Sequence, residues 1–498
     1  MSRTSLQKNI PTDYERIFHP ERIAIVGVSA DDVGVGFGIG MFRAITAMGF
    51  EGKIFPVNPR GGNLNGQDIF KRIEDIPGRL DFAVITVAAR LVPEALEACL
   101  KKGAAGAEIL SSGFNELHTQ EGRELEQRIR EIAAKGLRVV GPNCFGIYCP
   151  KSGLTLLPGP DLSRESGPVA FLSQSGGMAI DFAHAGKWMG IRFSKVVSFG
   201  NGADLRETDL LRYLKEDPET NVIAMYIEGI ENGEAFFTAL KAASAKKPVI
   251  VYKSGLSAAG QRTVASHTAS MGGSRAIWQS VLKQAGAIQV FDAEELAQAS
   301  LAFALLPQKT FQGISVIGGG GAIGVTACDT AETYGIDIPP LPADLQERIG
   351  AFLPKPGSSA VNPIDVANPF VAPEILKEVL LRTAEDDRVE LQILVSLLFH
   401  YKTIARMFNK PLVDVAPYLE LAQAAGEVAL QTGKPLIAVL PNAKRDLDNM
   451  DVTELIALTR KAYLDRGIPV FDELHDAIRA VGHLNTYYTR RRKHREKR

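Results

Sequence analysis

The chain is 498 residues long, enough for about three domains that each bury their own core. Hydrophobic residues make up 45%, charged residues 23%, and the formal net charge is -1, which excludes a disordered, fibrous or membrane-spanning chain and offers no basic excess to nucleic acid. The four cysteines, Cys99, Cys144, Cys149 and Cys328, form no CxxC pair and no His/Cys cluster at metal-ligand spacing, so neither a disulfide framework nor a metal site is expected. The opening stretch MSRTSLQKNIPTDYERIF has no apolar h-region, and no run of about 18 apolar residues follows it, so the expected location is the cytoplasm.

In chain order, RIAIVGVSA is an apolar strand that runs into a turn at Gly27, Val28 and Ser29 and on to a helix. KIFPVNP, FAVITVAA, GAEILSSGF and LRVVGPNCFG follow as strands, separated by helical segments such as LVPEALEACLKKG, and complete a domain over 15–150. YCPKSGLTLLPGPDLSRESG reads as a hinge. PVAFLSQSGG then opens a second domain over 165–306, with FSKVVSFGNG, VIAMYIEGI and PVIVYKSG as further strands. ISVIGGGGAIG opens a third over 311–482, followed by LQILVSLLF, PLIAVLP and IPVFDELHDAIRAVG. Residues 488–498, which include TRRRKHREKR, read as a solvated basic tail. Buried β-branched runs alternating with helices make this an α/β chain of parallel sheets, whose ligands sit at the carboxyl ends of the strands.

Three strand ends carry candidate chemistry. The turn at Gly27 can hold a phosphate or simply pack strand against helix, and its glycines do not place GxGxxG at the strand end. KIFPVNP closes on Val57-Asn58-Pro59 without the acidic residue that a nicotinamide dinucleotide requires, so NAD is disfavoured and coenzyme A fits better. Ser173, Gln174, Ser175, Gly176 and Gly177 form the N-terminal turn of a helix, where free N–H groups and the dipole favour an anion; an N-cap with tolerated glycines is the alternative. His267, in RTVASHTASMGG, has small and hydroxyl-bearing neighbours rather than aliphatic ones, which suits a reactive imidazole in a loop, although a surface role competes. Glu228, ending the strand MYIEGI, is the carboxylate that could hold its second ring proton. No P-loop, HExxH, GxSxG or kinase signature occurs, so a nucleotide would bind elsewhere.

Joined in order, Gly27-Val28-Ser29, Val57-Asn58-Pro59, SSGFNE, GPNCFG, SQSGG, FGNGADL, YIEGI, YKSG, SHT, GGGGAIGV and NPIDV resemble the alpha part of the NDP-forming acyl-CoA synthetases. These include ADP-forming acetyl-CoA synthetase and, more distantly, the alpha subunit of succinyl-CoA synthetase. The resemblance implies a Rossmann-like CoA-binding domain followed by two flavodoxin-like, succinyl-CoA ligase-like domains. It implies that His267 carries a phosphoryl group with Glu228 orienting it, and that the SQSGG turn binds that group. Gly27, Ser29, Asn58, Pro59 and Val87 would contact CoA, with Glu116 and Asn143 at matching strand ends. It further implies ADP or ATP with Mg2+ on an ATP-grasp beta subunit, in an α2β2 assembly. Ala269, Arg275 and the VAA at 87–89 depart from the family's usual residues. A non-catalytic CoA-binding regulatory or scaffold protein of the same fold is the alternative reading.

Overall fold

A computed structural model describes residues 12–29, 36–64, 66–157, 159, 161–268 and 274–496, with the backbone alone at 264–268, 494 and 495. It divides into two compact units, Met1–Leu296 and Ala297–Arg498.

The first unit holds two sheets. In the amino-terminal sheet, β1 (Arg22–Val26), β2 (Lys53–Val57), β5 (Phe82–Ile85), β6 (Gly106–Ile109) and β7 (Arg138–Val140) run parallel in the order β2-β1-β5-β6-β7, and β3 (Asn63–Leu64) with β4 (Gln67–Asp68) forms a short ribbon beside it. In the second sheet, β8 (Gly146–Tyr148), β9 (Ser166–Ser173), β10 (Phe193–Ser198), β11 (Val222–Ile227), β12 (Val249–Lys253) and β13 (Ile288–Val290) take the order β13-β12-β11-β9-β10-β8. All of these pair parallel except β8, which runs antiparallel to β10. Sequence periodicity does not resolve β8, which straddles the end of LRVVGPNCFG and the start of the expected hinge at Tyr148, because a three-residue strand is too short to show alternation. The strands are buried along most of their length, as helices on both faces of a parallel sheet require.

The second unit carries one parallel sheet of β14 (Ile314–Gly318), β15 (Ile364–Asp365), β16 (Leu391–Val395), β17 (Leu436–Val439) and β18 (Val470–Phe471), ordered β15-β14-β16-β17-β18. Counted within its own parallel strands, each of the three sheets has the doubly wound order 2-1-3-4-5, so each leaves a crevice between its first and third strands. The basic end differs from the expectation of a tail. Through Glu496 it continues the helix Leu474–Glu496, anchored where Tyr487 and Tyr488 meet Phe303 with ring centroids 5.7 and 6.1 Å away. Among the described residues, no helix is long and apolar enough to cross a membrane.

The sheets of the first unit are stitched along one seam. Backbone N–H groups of Asn201, Ala203 and Leu205 donate to the carbonyls of Pro142, Gly141 and Val139 at 3.0, 2.9 and 3.0 Å. Asp204, buried there, takes a two-pronged bond from the Arg138 guanidinium at 2.8 and 3.1 Å and another from Val139 N at 2.9 Å. Such planar, charge-assisted pairs fix orientation as well as add energy. Where the chain passes from β7 into β8, the buried Glu108 carboxylate accepts from Ile147 N at 2.9 Å.

Burial pushes the Glu108 carboxyl from 4.5 up to about 8. Because the folded value lies above the unfolded one, its contribution to stability is present in acid and lost as pH rises from about 4.5 through about 8. Glu108→Gln should remove that decline and stabilise the protein at pH 7 by on the order of 3 kcal/mol, read from urea denaturation at several pH values.

Candidate functional site

The carboxyl edge of the amino-terminal sheet gathers the residues expected to meet CoA. Gly27 sits at φ +107°, with its N–H on Val57 O at 2.9 Å, and Val28 N shares the same carbonyl at 3.2 Å. A Cβ on Gly27 would meet Thr86 Oγ1 at 2.5 Å, and one on Gly38 would lie 2.4 Å from Gly27 O. The helix Phe37–Ala47 therefore packs directly onto the turn, as the third glycine of a dinucleotide fingerprint permits without the fingerprint itself. Ser29, Asn58 and Val87 are half-buried and Pro59 is exposed, so this edge presents main chain and small polar groups at the sheet's switch point. Asn58 Oδ1 turns back onto Arg60 N at 3.0 Å.

Glu116 and Asn143 stand at the seam. Glu116 Oε1 accepts from Gly113 N at 2.6 Å and Phe114 N at 3.1 Å, while Oε2 takes Asn201 Nδ2 at 2.6 Å. Its carboxylate thus holds the loop after β6 rather than projecting from it. Asn143, exposed and at φ 55°, donates from Nδ2 to Asn201 Oδ1 at 3.4 Å.

The second sheet brings Ser173, Gln174, Glu228 and the chain leading to His267 to one edge. Ser175 caps the helix Gly176–Met189 by accepting from Met178 N at 3.3 Å. Ser173 Oγ donates to Ser175 O at 2.7 Å and accepts from Ser175 N at 3.1 Å, so both serines shape the turn. Gly176 and Gly177 occupy the first positions of the helix, where backbone N–H groups have no carbonyl one turn earlier. The cap is thus present in the structure.

Gln174 is buried, and its amide spans the gap to the neighbouring strand: Nε2 donates to Gly229 O at 2.8 Å, while Oε1 accepts from Gly229 N at 2.9 Å and from Glu228 N. The side chain expected to touch an anion is committed to main chain instead. Glu228 is half-buried, and its Oε1 accepts from the Tyr226 hydroxyl at 3.2 Å. Lys253, at the end of β12, donates to Glu228 O at 2.7 Å and to Ser254 O at 2.5 Å.

His267 lies on the helix Ala258–Thr268, not in the loop that its small neighbours suggest. That helix follows β12 and meets the turn Asn115–Leu117 of the CoA-side sheet. The His267 side chain and Ala269 lie outside the described residues. Among the described residues, no cluster of His, Cys, Asp and Glu could hold a metal ion. In the second unit, the turn Gly318–Gly321 borders a cavity of about 400 Å³, where Asp365 Oδ1 accepts from Gly320 N at 3.0 Å and Ala367 N at 2.7 Å.

Two family models match this architecture: a CoA binding domain over residues 21–150 and a succinyl-CoA ligase like flavodoxin domain over residues 166–303. The alpha subunit of ADP-forming acetate–CoA ligase I from Pyrococcus furiosus is 34% identical over 97% of this chain and 99% of its own length. This chain belongs to the NDP-forming acyl-CoA synthetase family. The structure of dinucleotide-forming acetyl-coenzyme A synthetase 1 from Ca. Korarchaeum cryptofilum, in complex with phosphate and ADP, superposes with a TM-score of 0.81 at 30% identity, covering 98% of this chain and 99% of that one. A trans-feruloyl-CoA synthase from an unknown prokaryotic organism is 32% identical over 75% of this chain and 54% of its own length. The family resemblance carried by the ordered motifs, and the α/β fold it implied, are both shown.

Lys253 and Tyr226 bond to Glu228 without having been singled out; each stands in a motif, YKSG and YIEGI, that carried the resemblance. If Gln174 is the clamp the geometry describes, Gln174→Leu strands the main-chain groups of Glu228 and Gly229 and should cost about 3 kcal/mol in urea denaturation.

Proposed function

We propose that the chain is the alpha subunit of an NDP-forming acyl-CoA synthetase, interconverting acyl-CoA, phosphate and ADP with a carboxylic acid, CoA and ATP. The observation that carries this reading is the meeting, at one carboxyl edge, of the glycine helix terminus after β9, the Glu228 carboxylate after β11 and the His267 helix after β12. CoA would lie over Gly27, Ser29, Asn58, Pro59 and Val87, with Glu116 and Asn143 shaping the far end of that edge.

A phosphate oxygen attacks the thioester carbonyl, the carbon–sulfur bond breaks, and the thiolate leaves as CoA. An imidazole nitrogen of His267 then attacks phosphorus, and the bond to the acyl oxygen breaks to release the acid. The phosphoryl group in transit needs positioning and charge neutralisation more than covalent assistance. Gly176 and Gly177 offer N–H groups at the positive end of a helix dipole, on a turn set by Ser173, Gln174 and Ser175. Glu228 would accept the proton on the other ring nitrogen of His267, keeping the attacking nitrogen unprotonated. The phosphohistidine would finally phosphorylate ADP, held with Mg2+ on an ATP-grasp beta subunit. The name "subunit alpha" on the Pyrococcus relatives supports a separate partner, and α2β2 is the assembly proposed. Named relatives act on acids from acetate to 4-hydroxybutyrate, so the reaction class is proposed here for carboxylic acids as a class.

Mixed with its beta partner, Mg2+ and γ-32P-labelled ATP, the chain should take up acid-labile, base-stable label. His267→Asn should reduce this to background, and Glu228→Gln should slow it by about 100-fold or more. Undiminished labelling of His267→Asn would overturn the assignment. CoA binding by a chain that never labels would instead establish the scaffold reading.

A further inference from the structure

The Glu228 peptide is held from both sides. Gln174 accepts its N–H, and Lys253 donates to its carbonyl oxygen at 2.7 Å. Lys253 is 2% exposed, its second donor goes to Ser254 O at 2.5 Å, and its ammonium stands 4.9 Å from the ring centre of Trp278. The donors are thus directed at protein groups, which makes this lysine an internal fastening rather than a ligand waiting for an anion.

We propose that Lys253 is a positioning residue of the phosphoryl-transfer site, tying the Glu228 main chain to the end of β12 so that the carboxylate keeps one orientation at that sheet edge. The proposal rests on the functional reading above. A buried ammonium is an expensive way to satisfy two carbonyl oxygens, since a neutral amide donor could do so without the desolvation cost. Burial pulls the Lys253 ammonium from 10.5 down to about 8, and the charge of Glu228 works against that pull. Glu228, just past the end of β11, is the charged side chain acting on it among the described residues; Trp278, on the helix Arg275–Ala285, meets it with its ring. The fastening is therefore charged in neutral solution and weakens as pH rises through about 8, where the ammonium loses its proton.

The test uses the complex with the beta subunit and γ-32P-labelled ATP, following the rate of labelling against pH. The wild-type rate should fall above pH 8. Lys253→Met should label about 10- to 100-fold more slowly, the range for loss of a group that orients a reactive one. Lys253→Arg stays charged at every pH used, so it should recover much of the rate and move the alkaline fall upward by at least one pH unit. A lysine needed only for folding would lower thermal stability in these variants without moving the pH profile. Lys253→Met labelling at the wild-type rate, or Lys253→Arg keeping the fall at pH 8, would overturn the proposal while His267→Asn still blocks labelling. Absence of label on the wild-type chain would instead remove the functional reading, and this inference with it.

Discussion

One buried carboxamide sets the geometry on which the candidate site depends. Gln174 leaves the end of β9 and closes on the main chain of Glu228 and Gly229, beyond the end of β11, using both its oxygen and its nitrogen. Because β9 and β11 are neighbours in the sheet, this bridge spans the crevice at the switch point and fixes its width. A flexible crevice could still bind an anion, but it could not hold a carboxylate and a helix terminus at a constant separation while a phosphoryl group changes partners. Pre-organisation of this kind is where most of the catalytic benefit of fixed dipoles arises.

The seam between the two sheets does comparable work on a larger scale. Arg138 and Asp204 orient one sheet against the other, and Glu116 reaches Asn201 across the same boundary. The residues proposed to receive CoA and those proposed to receive phosphate are thereby parts of a single compact unit. For the proposed acyl phosphate, a rigid join between those two places would keep the intermediate within reach of the group that consumes it.

Much of this was legible in the sequence, and the remainder was hidden for identifiable reasons. Apolar strands ending in glycine turns mark the sheet edges, because a turn that must approach a helix closely excludes Cβ, as Gly27 and Gly38 show. Gln174 and Lys253 were opaque in role, since a polar residue at a strand end looks the same whether it faces solvent or main chain. His267 was placed in a loop because serine, threonine and glycine surround it, yet Ala258, Ala259 and Ala265 and the straight chains of Gln261 and Arg262 favour the helix observed. In the basic carboxyl-terminal segment, charge conceals that the chain stays helical, with Leu484 and Tyr487 just before the segment and Tyr488 within it giving the helix a buried face.

The strand order repeated in all three sheets makes the chain a set of interchangeable frames distinguished by a handful of side chains at the strand ends. In the second unit, the carboxylate of Asp365 takes the N–H of Gly320, so that glycine turn carries its own resident anion. In the middle sheet, the corresponding turn is capped by an uncharged serine, with two glycines opening the helix. Between these two turns, the difference at the cap is a single acidic group. Grafting new chemistry onto such a frame would thus be a matter of a few edge residues, with the sheets beneath left intact.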